Sequence, residues 1–234
     1  MSVLSVLHDL RPQAFGSGHP NRVPDPIVEP MWTGVRVLAA VDRSDAAREA
    51  VTVLADEDGH PLEDQRAIEA ALVEAALAES LIVDGVLTKQ MAHDGSGVYT
   101  GVEAQTSTGK LIVQSMVGVR RNRAAEIVER REQARQARTF GVTDTVTLVA
   151  TDILWLDGES LLDVPLLERK RLLEAALDES DVIRRGLYVR PPIESWVGSW
   201  RALGFSELTF KAANSRYRPG VPDDDWAVAP MPRR

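Results

Sequence analysis

The side-chain types of this 234-residue sequence rule out several kinds of catalytic and metal-binding site. Cysteine is absent, so the sequence contains no disulfide, no thiolate nucleophile and no cysteine-ligated zinc or iron–sulfur centre. The four histidines are scattered along the sequence, at His8, His19, His60 and His93. No histidine metal cluster is therefore expected, and we predict no metal site built by the protein alone.

A glycine-containing segment, Gly95-Ser96-Gly97, has a composition that could form a phosphate-binding loop. The common nucleotide loop continues into Gly-Lys-Ser or Gly-Lys-Thr, which places a lysine and a metal-binding hydroxyl on the triphosphate. Because that ending is missing, we interpret the segment as part of an ordinary loop or hairpin over residues 91–108.

The overall charge is negative, with a formal net charge of -8 at pH 7. A molecule of this sign repels phosphate backbones, so binding to nucleic acid would need a local basic patch. The candidate patch is a predicted helix over residues 122–139, flanked by Arg120, Arg121, Arg123, Arg130, Arg131, Arg135 and Arg138. Glutamates at helical spacing offset part of this charge, so a solvated helix face is the alternative interpretation.

Apolar periodicity and turn residues predict the elements that must position these side chains. Strands are predicted over residues 34–41, 49–54, 81–88, 111–119, 146–156 and 182–190. Helices are predicted over residues 64–80 and 122–139, after Pro165, and around Trp196, Trp200 and Leu203. Asp84-Gly85 has the composition of a turn, and the prolines and glycines of residues 1–27 indicate an extended arm or a strap.

The most informative segment, residues 152–177, reads DILWLDGESLLDVPLLERKRLLEAAL. An apolar run of strand length ends in the turn pair Asp157-Gly158, and leucines at helical spacing follow Pro165. The segment therefore predicts a strand, a turn and a helix. Its charged residues Glu168, Arg169, Lys170 and Arg171 are expected to form a solvated helix face.

This segment resembles the adenylation domain of bacterial ATP-dependent DNA ligases, in which a strand ending DLLWLDG is followed by PLLERRRLLE. A second block, residues 211–220, is similar to the end of the ligase sequence LEGVVAKRADSPYRPG. The resemblance extends in order over about residues 28–228. It implies an α+β fold with twisted antiparallel sheets flanked by helices.

The ligase sequence EPKWDGYRALA is similar to residues 29–39, with matches at Glu29, Pro30, Trp32, Gly34 and Arg36. In that family the lysine attacks the α-phosphate of ATP and becomes a lysyl-adenylate. Here Met31 occupies the lysine position and Thr33 the aspartate position. A thioether cannot carry an adenylyl group by this chemistry, so the first catalytic step is expected to be lost.

Other positions that match family motifs have also lost the chemistry used there. Val86 replaces a nucleotide-contacting glutamate after the matching pair Asp84-Gly85, and Thr151 replaces an aromatic residue that stacks on adenine. Ser206 stands at another glutamate position, unless a shift of one residue brings in Glu207. Val228 and Pro230 replace the two lysines of a W-x-K-x-K element that begins at Trp226.

The resemblance leaves four candidate nucleotide-binding residues, Glu29, Arg36, Asp84 and Lys211, and no assigned catalytic residue. If a nucleotide site survives, ATP and Mg²⁺ are its expected cofactors. Phosphoryl chemistry also needs a metal and counter-charges on the oxygens, and Asp84 and Lys211 alone are too few groups to supply both.

Three hypotheses follow. The first is a degenerate ligase-like domain that no longer transfers adenylate and binds a nucleotide, nucleic acid or a protein partner. The second is an active nucleotidyltransferase with a displaced nucleophile, for which only Lys89, Lys110, Lys170 and Lys211 are available. The third is an unrelated α/β domain whose similarity to ligases is accidental. A fold without the paired antiparallel sheets of the ligase domain would establish the third.

The expected organisation is an arm over residues 1–27, a ligase-like domain over 28–228 and a tail over 229–234, without an oligonucleotide-binding barrel. The chain has 44% hydrophobic and 26% charged residues, which is typical of a globular domain. No apolar run is long enough to cross a bilayer and no signal peptide precedes the domain, so a cytoplasmic protein without membrane contact is expected.

Overall fold

The computed structural model describes residues 2–44, 49–90 and 142–232. Lys110, the Gly95-Ser96-Gly97 segment, the strand predicted over 111–119 and the basic helix predicted over 122–139 all lie outside these residues. The helices are α1 (Val3–Asp9), α2 (Arg66–Ala75), α3 (Leu166–Ala176) and α4 (Glu194–Ala202). The strands are β1 (Pro26–Pro30), β2 (Val35–Asp42), β3 (Val51–Ala55), β4 (Ser80–Gln90), β5 (Val142–Leu156), β6 (Glu159–Ser160), β7 (Ile183–Arg185), β8 (Glu207–Ala212) and β9 (Trp226–Pro230).

The strands form two sheets. The larger has the order β3-β2-β4-β5-β6, with antiparallel neighbours, and the short strand β7 adds to β5 in parallel. The smaller sheet has the order β1-β8-β9 and is antiparallel throughout. The predicted α+β fold of antiparallel sheets flanked by helices is confirmed, including the pairing of β2 with β3.

The core explains why β2 is a continuous apolar run instead of an alternating one. Val37, Ala39 and Val41 pack with α2 on one face of the larger sheet. Leu38 and Ala40 point to the other face, where they pack with α1 and with residues of β9. A strand covered on both faces needs apolar side chains at consecutive positions.

The longest helix of the described ranges, α3, has 11 residues, too few to cross a bilayer.

The strand, turn and helix predicted within residues 152–177 are confirmed as β5, the Asp157-Gly158 turn and α3. Asp157 and Gly158 have φ of 46° and 93°, which is the geometry of a two-residue hairpin turn between β5 and β6. α3 then begins after Pro165.

The predicted solvated face of α3 is wrong at two of its four residues. Glu168 and Arg171 are exposed, but Arg169 and Lys170 are buried. Arg169 is stacked along the helix with Leu166 and Leu173, so these three side chains share the stripe that faces the sheets. The Arg169 guanidinium contacts both carboxylate oxygens of Asp152 on β5 at 2.8 Å.

Asp84-Gly85 is not a turn, because both residues lie inside β4. Gly85 stands at an irregularity in the pairing of β4 with β5, and a Cβ atom there would lie 2.6 Å from the Val149 carbonyl oxygen. The glycine is therefore required by the close approach of the two strands rather than by a change in chain direction.

Both ends of the chain are more regular than expected. The predicted extended arm contains α1, whose Val3 and Leu7 are buried against the larger sheet. At the other end, β9 continues to Pro230, and Met231 is buried with Trp200. The strand predicted over residues 182–190 is limited to Ile183–Arg185.

Replacement of Arg169 by methionine should lower the free energy of unfolding by about 3–5 kcal/mol, because Asp152 would stay buried without a counter-charge. The matched control is Arg171→Met in the same helix, whose exposed pair with Glu168 should contribute less than about 1 kcal/mol. Urea unfolding followed by tryptophan fluorescence measures both. Equal losses in the two variants would contradict the assignment of Arg169 as a buried structural cation.

Candidate functional site

A cavity of about 620 Å³ is lined by residues of both sheets. β1 and β8 contribute Glu29, Thr209 and Lys211, and the larger sheet contributes Arg36, Val86 and Thr151. The rest of the lining comes from Ala14 and Phe15, from Pro30, Met31, Trp32, Gly34 and Val35, and from Asp56, Glu57 and Asp58 after β3. Its size is in the range of small-molecule sites, which is about 300–1,000 Å³.

The segment between β1 and β2 forms one wall of this cavity. Gly34 has φ of 152°, and a Cβ atom there would lie 2.1 Å from the Leu87 carbonyl oxygen, so only glycine allows the chain to enter β2 at this point. The Thr33 backbone N–H and hydroxyl donate to Gln90 Oε1 at 3.2 and 3.0 Å, and Thr88 donates to the Thr33 carbonyl at 2.6 Å. β4 therefore holds the segment that carries Met31.

Glu29 lies at the centre of a buried charge cluster at the base of the cavity. Thr209 pairs with Glu29 across β1 and β8, so Lys211, two residues further on, lies diagonally opposite on the same face. The Lys211 Nζ is 2.7 Å from Glu29 Oε2. Lys170 reaches in from α3 and donates to Glu29 Oε1 and to the Thr151 carbonyl.

The cluster shifts the titration of its members. Burial by itself would raise the pKa of Glu29, but the ammonium groups of Lys170 and Lys211 outweigh it and lower that pKa to about 2. Burial lowers the pKa of Lys211, and the attraction of Glu29 opposes this only in part. The Lys211 ammonium also lies 4.4 Å from the ring centroid of Trp226, its neighbour across β8 and β9.

Arg36 and Asp84 form a second charged pair next to the cavity. Arg36 Nε and Nη2 contact the two Asp84 oxygens at 3.1 and 2.7 Å, and Nη1 donates to the Gln13 carbonyl at 2.7 Å. The Tyr217 hydroxyl donates to Asp84 at 2.7 Å. Burial would raise the pKa of Asp84, but Arg36 lowers it overall.

Three of the four residues predicted from the sequence line the cavity: Glu29, Arg36 and Lys211. Asp84 is buried behind Arg36 and is absent from the lining. The structure therefore brings the four together, but each already has an ionic partner within the protein. Their role in binding a nucleotide stays a prediction.

Three of the residues that depart from the ligase motifs also line the cavity: Met31, Val86 and Thr151. Thr33 is exposed beside it and bonded to Gln90. The remaining departures, Ser206, Val228 and Pro230, lie on the smaller sheet or next to it and are absent from the lining. The residues present thus do not match the requirements of adenylyl transfer to a lysine at this position.

Sequence reasoning missed several residues of the site. Lys170 lies four residues after Leu166 and three before Leu173, so it belongs to the buried stripe of α3. In the sequence this helical spacing is hard to recognise, because Lys170 stands within a run of charged residues. Phe15 and the acidic residues 56–58 gave no such signal, because only the tertiary fold brings the arm and the β3 turn to the cavity.

The turn after β3 brings ligand atoms of Asp56, Asp58 and His60 within 4.8 Å of one another. This is the one such group among residues 2–44, 49–90 and 142–232. The Asp56 carboxylate accepts the backbone N–H groups of Asp58 and His60, which is an ordinary turn function. Asp58 and His60 are exposed, and no metal site is assigned here.

The depressed pKa of Glu29 predicts a pH-dependent contribution to stability. The folded pKa of about 2 lies below the ordinary value of 4.5, so the stabilisation is complete above about pH 4.5 and disappears as the pH falls towards 2. Glu29→Gln should therefore lose on the order of 3 kcal/mol near pH 6, with a smaller loss at each lower pH. Urea unfolding between pH 3 and pH 7 measures the difference, with exposed Glu168→Gln as the control. A loss independent of pH would contradict the ionic role of Glu29.

Comparison with known proteins places this geometry in context. No protein-family model matches the sequence. A DNA ligase from Thermococcus fumicolans is 38% identical over 79 residues, which cover 32% of this chain and 14% of that ligase. The ligase domain of M. tuberculosis LigD has 20% identity and a TM-score of 0.56, with 94% of this chain and 58% of that structure covered.

A structure described as mycobacterial DNA ligase D complexed with ATP and MES gives similar values. Its identity is 19% and its TM-score 0.56, and the match covers 94% of this chain and 59% of the other. The chain thus spans less than two thirds of each of these solved structures. The chain therefore has the fold of these DNA ligase domains, and a stretch of 79 residues is similar in sequence to a DNA ligase.

Proposed function

We propose that this ligase-like domain does not form a covalent adenylate and has kept its cavity to bind a ligand, foremost a nucleotide. The observation that carries the proposal is the position of Met31. Its side chain lines the cavity at the place where the ligase resemblance puts the nucleophilic lysine. Methionine offers no amine to attack a phosphate, so the cavity can bind but cannot accept an adenylyl group there.

The state of the other charged residues supports this proposal. Glu29, Arg36 and Lys211 are each held by ion pairs inside the protein, and these pairs need no ligand. The fold can therefore persist without the reaction. Binding of nucleic acid or of a protein partner belongs to the same proposal, with the arginines of residues 120–138 as the basic patch that DNA would need.

A second candidate function is adenylyl transfer to a displaced lysine, and one observation favours it. Lys211 lines the cavity, and burial lowers its pKa, which increases the fraction of neutral amine available for attack. Lys170 is a weaker candidate, because its ammonium is buried against Glu29 and the Thr151 carbonyl. Lys89 is exposed on β4 and is absent from the cavity lining.

Incubation with α-labelled ATP and Mg²⁺ or Mn²⁺, followed by denaturing gel analysis and intact mass measurement, separates the two functions. We expect the wild-type chain to carry no covalent adenylate. An adduct that is lost in Lys211→Arg and retained in the matched control Lys89→Arg would establish the second function instead. An adduct on Lys89, Lys110 or Lys170 would keep the second function but contradict the assignment of Lys211, and an adduct on a residue other than lysine would overturn both functions; peptide mapping identifies the residue.

A further inference from the structure

The residues that line the cavity in the described part of the chain carry more negative than positive charge. Among residues 2–44, 49–90 and 142–232, the lining contains four carboxylates and two cations, which are Glu29, Asp56, Glu57, Asp58, Arg36 and Lys211. The charges directly behind the lining do not change this balance, because Asp84 and Lys170 contribute one of each sign. A site that binds a polyphosphate normally has the opposite balance.

The two cations are also poorly placed to compensate phosphate charge. The Arg36 guanidinium donates to both oxygens of Asp84 and to the Gln13 carbonyl. Lys211 is paired with Glu29 and is only 4% exposed. The ring of Phe15 lies 5.9 Å from the Arg36 guanidinium carbon and 6.0 Å from the Lys211 ammonium, so an aromatic side chain is close to both cations.

Two of the four carboxylates, in contrast, are open to a ligand. Glu57 and Asp58 are exposed residues that line the cavity. An approaching triphosphate would meet these carboxylates without a free cation from the described lining.

The uncharged part of the lining suits an aromatic ligand. Phe15, Met31, Trp32, Val35 and Val86 supply apolar surface. Trp32 is 8% exposed, and its indole N–H has no hydrogen-bond partner among the described residues. The apolar side chains of the lining provide a surface against which the ring of an aromatic ligand can pack.

We propose that the cavity binds a nucleoside, an aromatic molecule without a phosphate chain, and discriminates against the corresponding nucleoside triphosphate. The inference rests on the proposed ligand-binding function, and it replaces the nucleotide named there by the nucleoside part alone. The apolar and aromatic wall holds the base, and the carboxylates of Glu57 and Asp58 repel a triphosphate. Discrimination then depends on charge at the rim and disappears when that charge is removed or screened.

Isothermal titration calorimetry tests this with adenosine, guanosine, cytidine and uridine, each against its own triphosphate, in EDTA to remove divalent cations. At about 50 mM salt, at least one nucleoside should bind about tenfold or more tightly than its triphosphate. Raising the salt to about 0.5 M should strengthen triphosphate binding, since it screens the repulsion. A cationic phosphate site responds in the opposite direction.

The double variant Glu57→Gln/Asp58→Asn removes the rim charge at two exposed positions. It should strengthen triphosphate binding at least about fivefold and change nucleoside binding less than about twofold. The control Glu159→Gln/Asp178→Asn makes the same change in net charge at exposed residues outside the cavity lining, and it should leave both affinities unchanged.

Two results would overturn the inference. If a triphosphate binds as tightly as its nucleoside or more tightly in EDTA, the discrimination is wrong and the proposed nucleotide-binding function stands. If none of the eight compounds binds, the inference and the nucleotide part of the proposed function are both wrong. An equal effect of the two double variants would refute the role of the rim and leave only the general repulsion by the net charge of -8.

Discussion

Two neighbouring side chains of α3 connect the two sheets through buried ion pairs, and the rest of the structure depends on this connection. Arg169 binds Asp152 on β5 of the larger sheet, and Lys170 binds Glu29 on β1 of the smaller one. Lys211 on β8 completes the cluster around Glu29. A buried charge without a partner is strongly unfavourable, so these pairs restrict how helix and sheets can be arranged.

The same constraint does not involve the cavity residues that depart from the ligase motifs. The side chains of Met31 and Val86 line the cavity but take no part in the buried ion pairs. Thr151 contributes its backbone carbonyl to Lys170, and a backbone group is present whatever side chain stands there. Arg36 and Lys211, which match ligase positions, thus have ion-pair partners inside the protein. The residues that the fold requires therefore differ from those that the ligase chemistry would require.

Much of the fold could be predicted from residue patterns alone. The apolar run of β2, the Asp157-Gly158 turn and the helix after Pro165 all follow from local periodicity and turn chemistry. The strand predicted over residues 81–88 is confirmed as β4 although it contains the turn-like pair Asp84-Gly85, because the glycine accommodates the close approach of β5. The prediction was wrong where a local signal conflicts with tertiary contacts. Arg169 and Lys170 look like solvated residues, but their positions on α3 face inward.

The sequence by itself determined the strand, turn and helix of residues 152–177, the ligase-like order of motifs and the absence of a lysine at position 31, because these depend on residue types and short-range spacing. The helix α1 and the strands β1, β8 and β9 of the smaller sheet were not predicted. Only the tertiary structure decided which charges meet. Glu29, Lys170 and Lys211 are far apart along the chain, and their contact depends on the packing of α3 against both sheets. The acidic turn and Phe15 likewise reach the cavity from distant segments. The net charge around a cavity depends on which distant segments of the chain meet there, and a local sequence pattern does not contain this information.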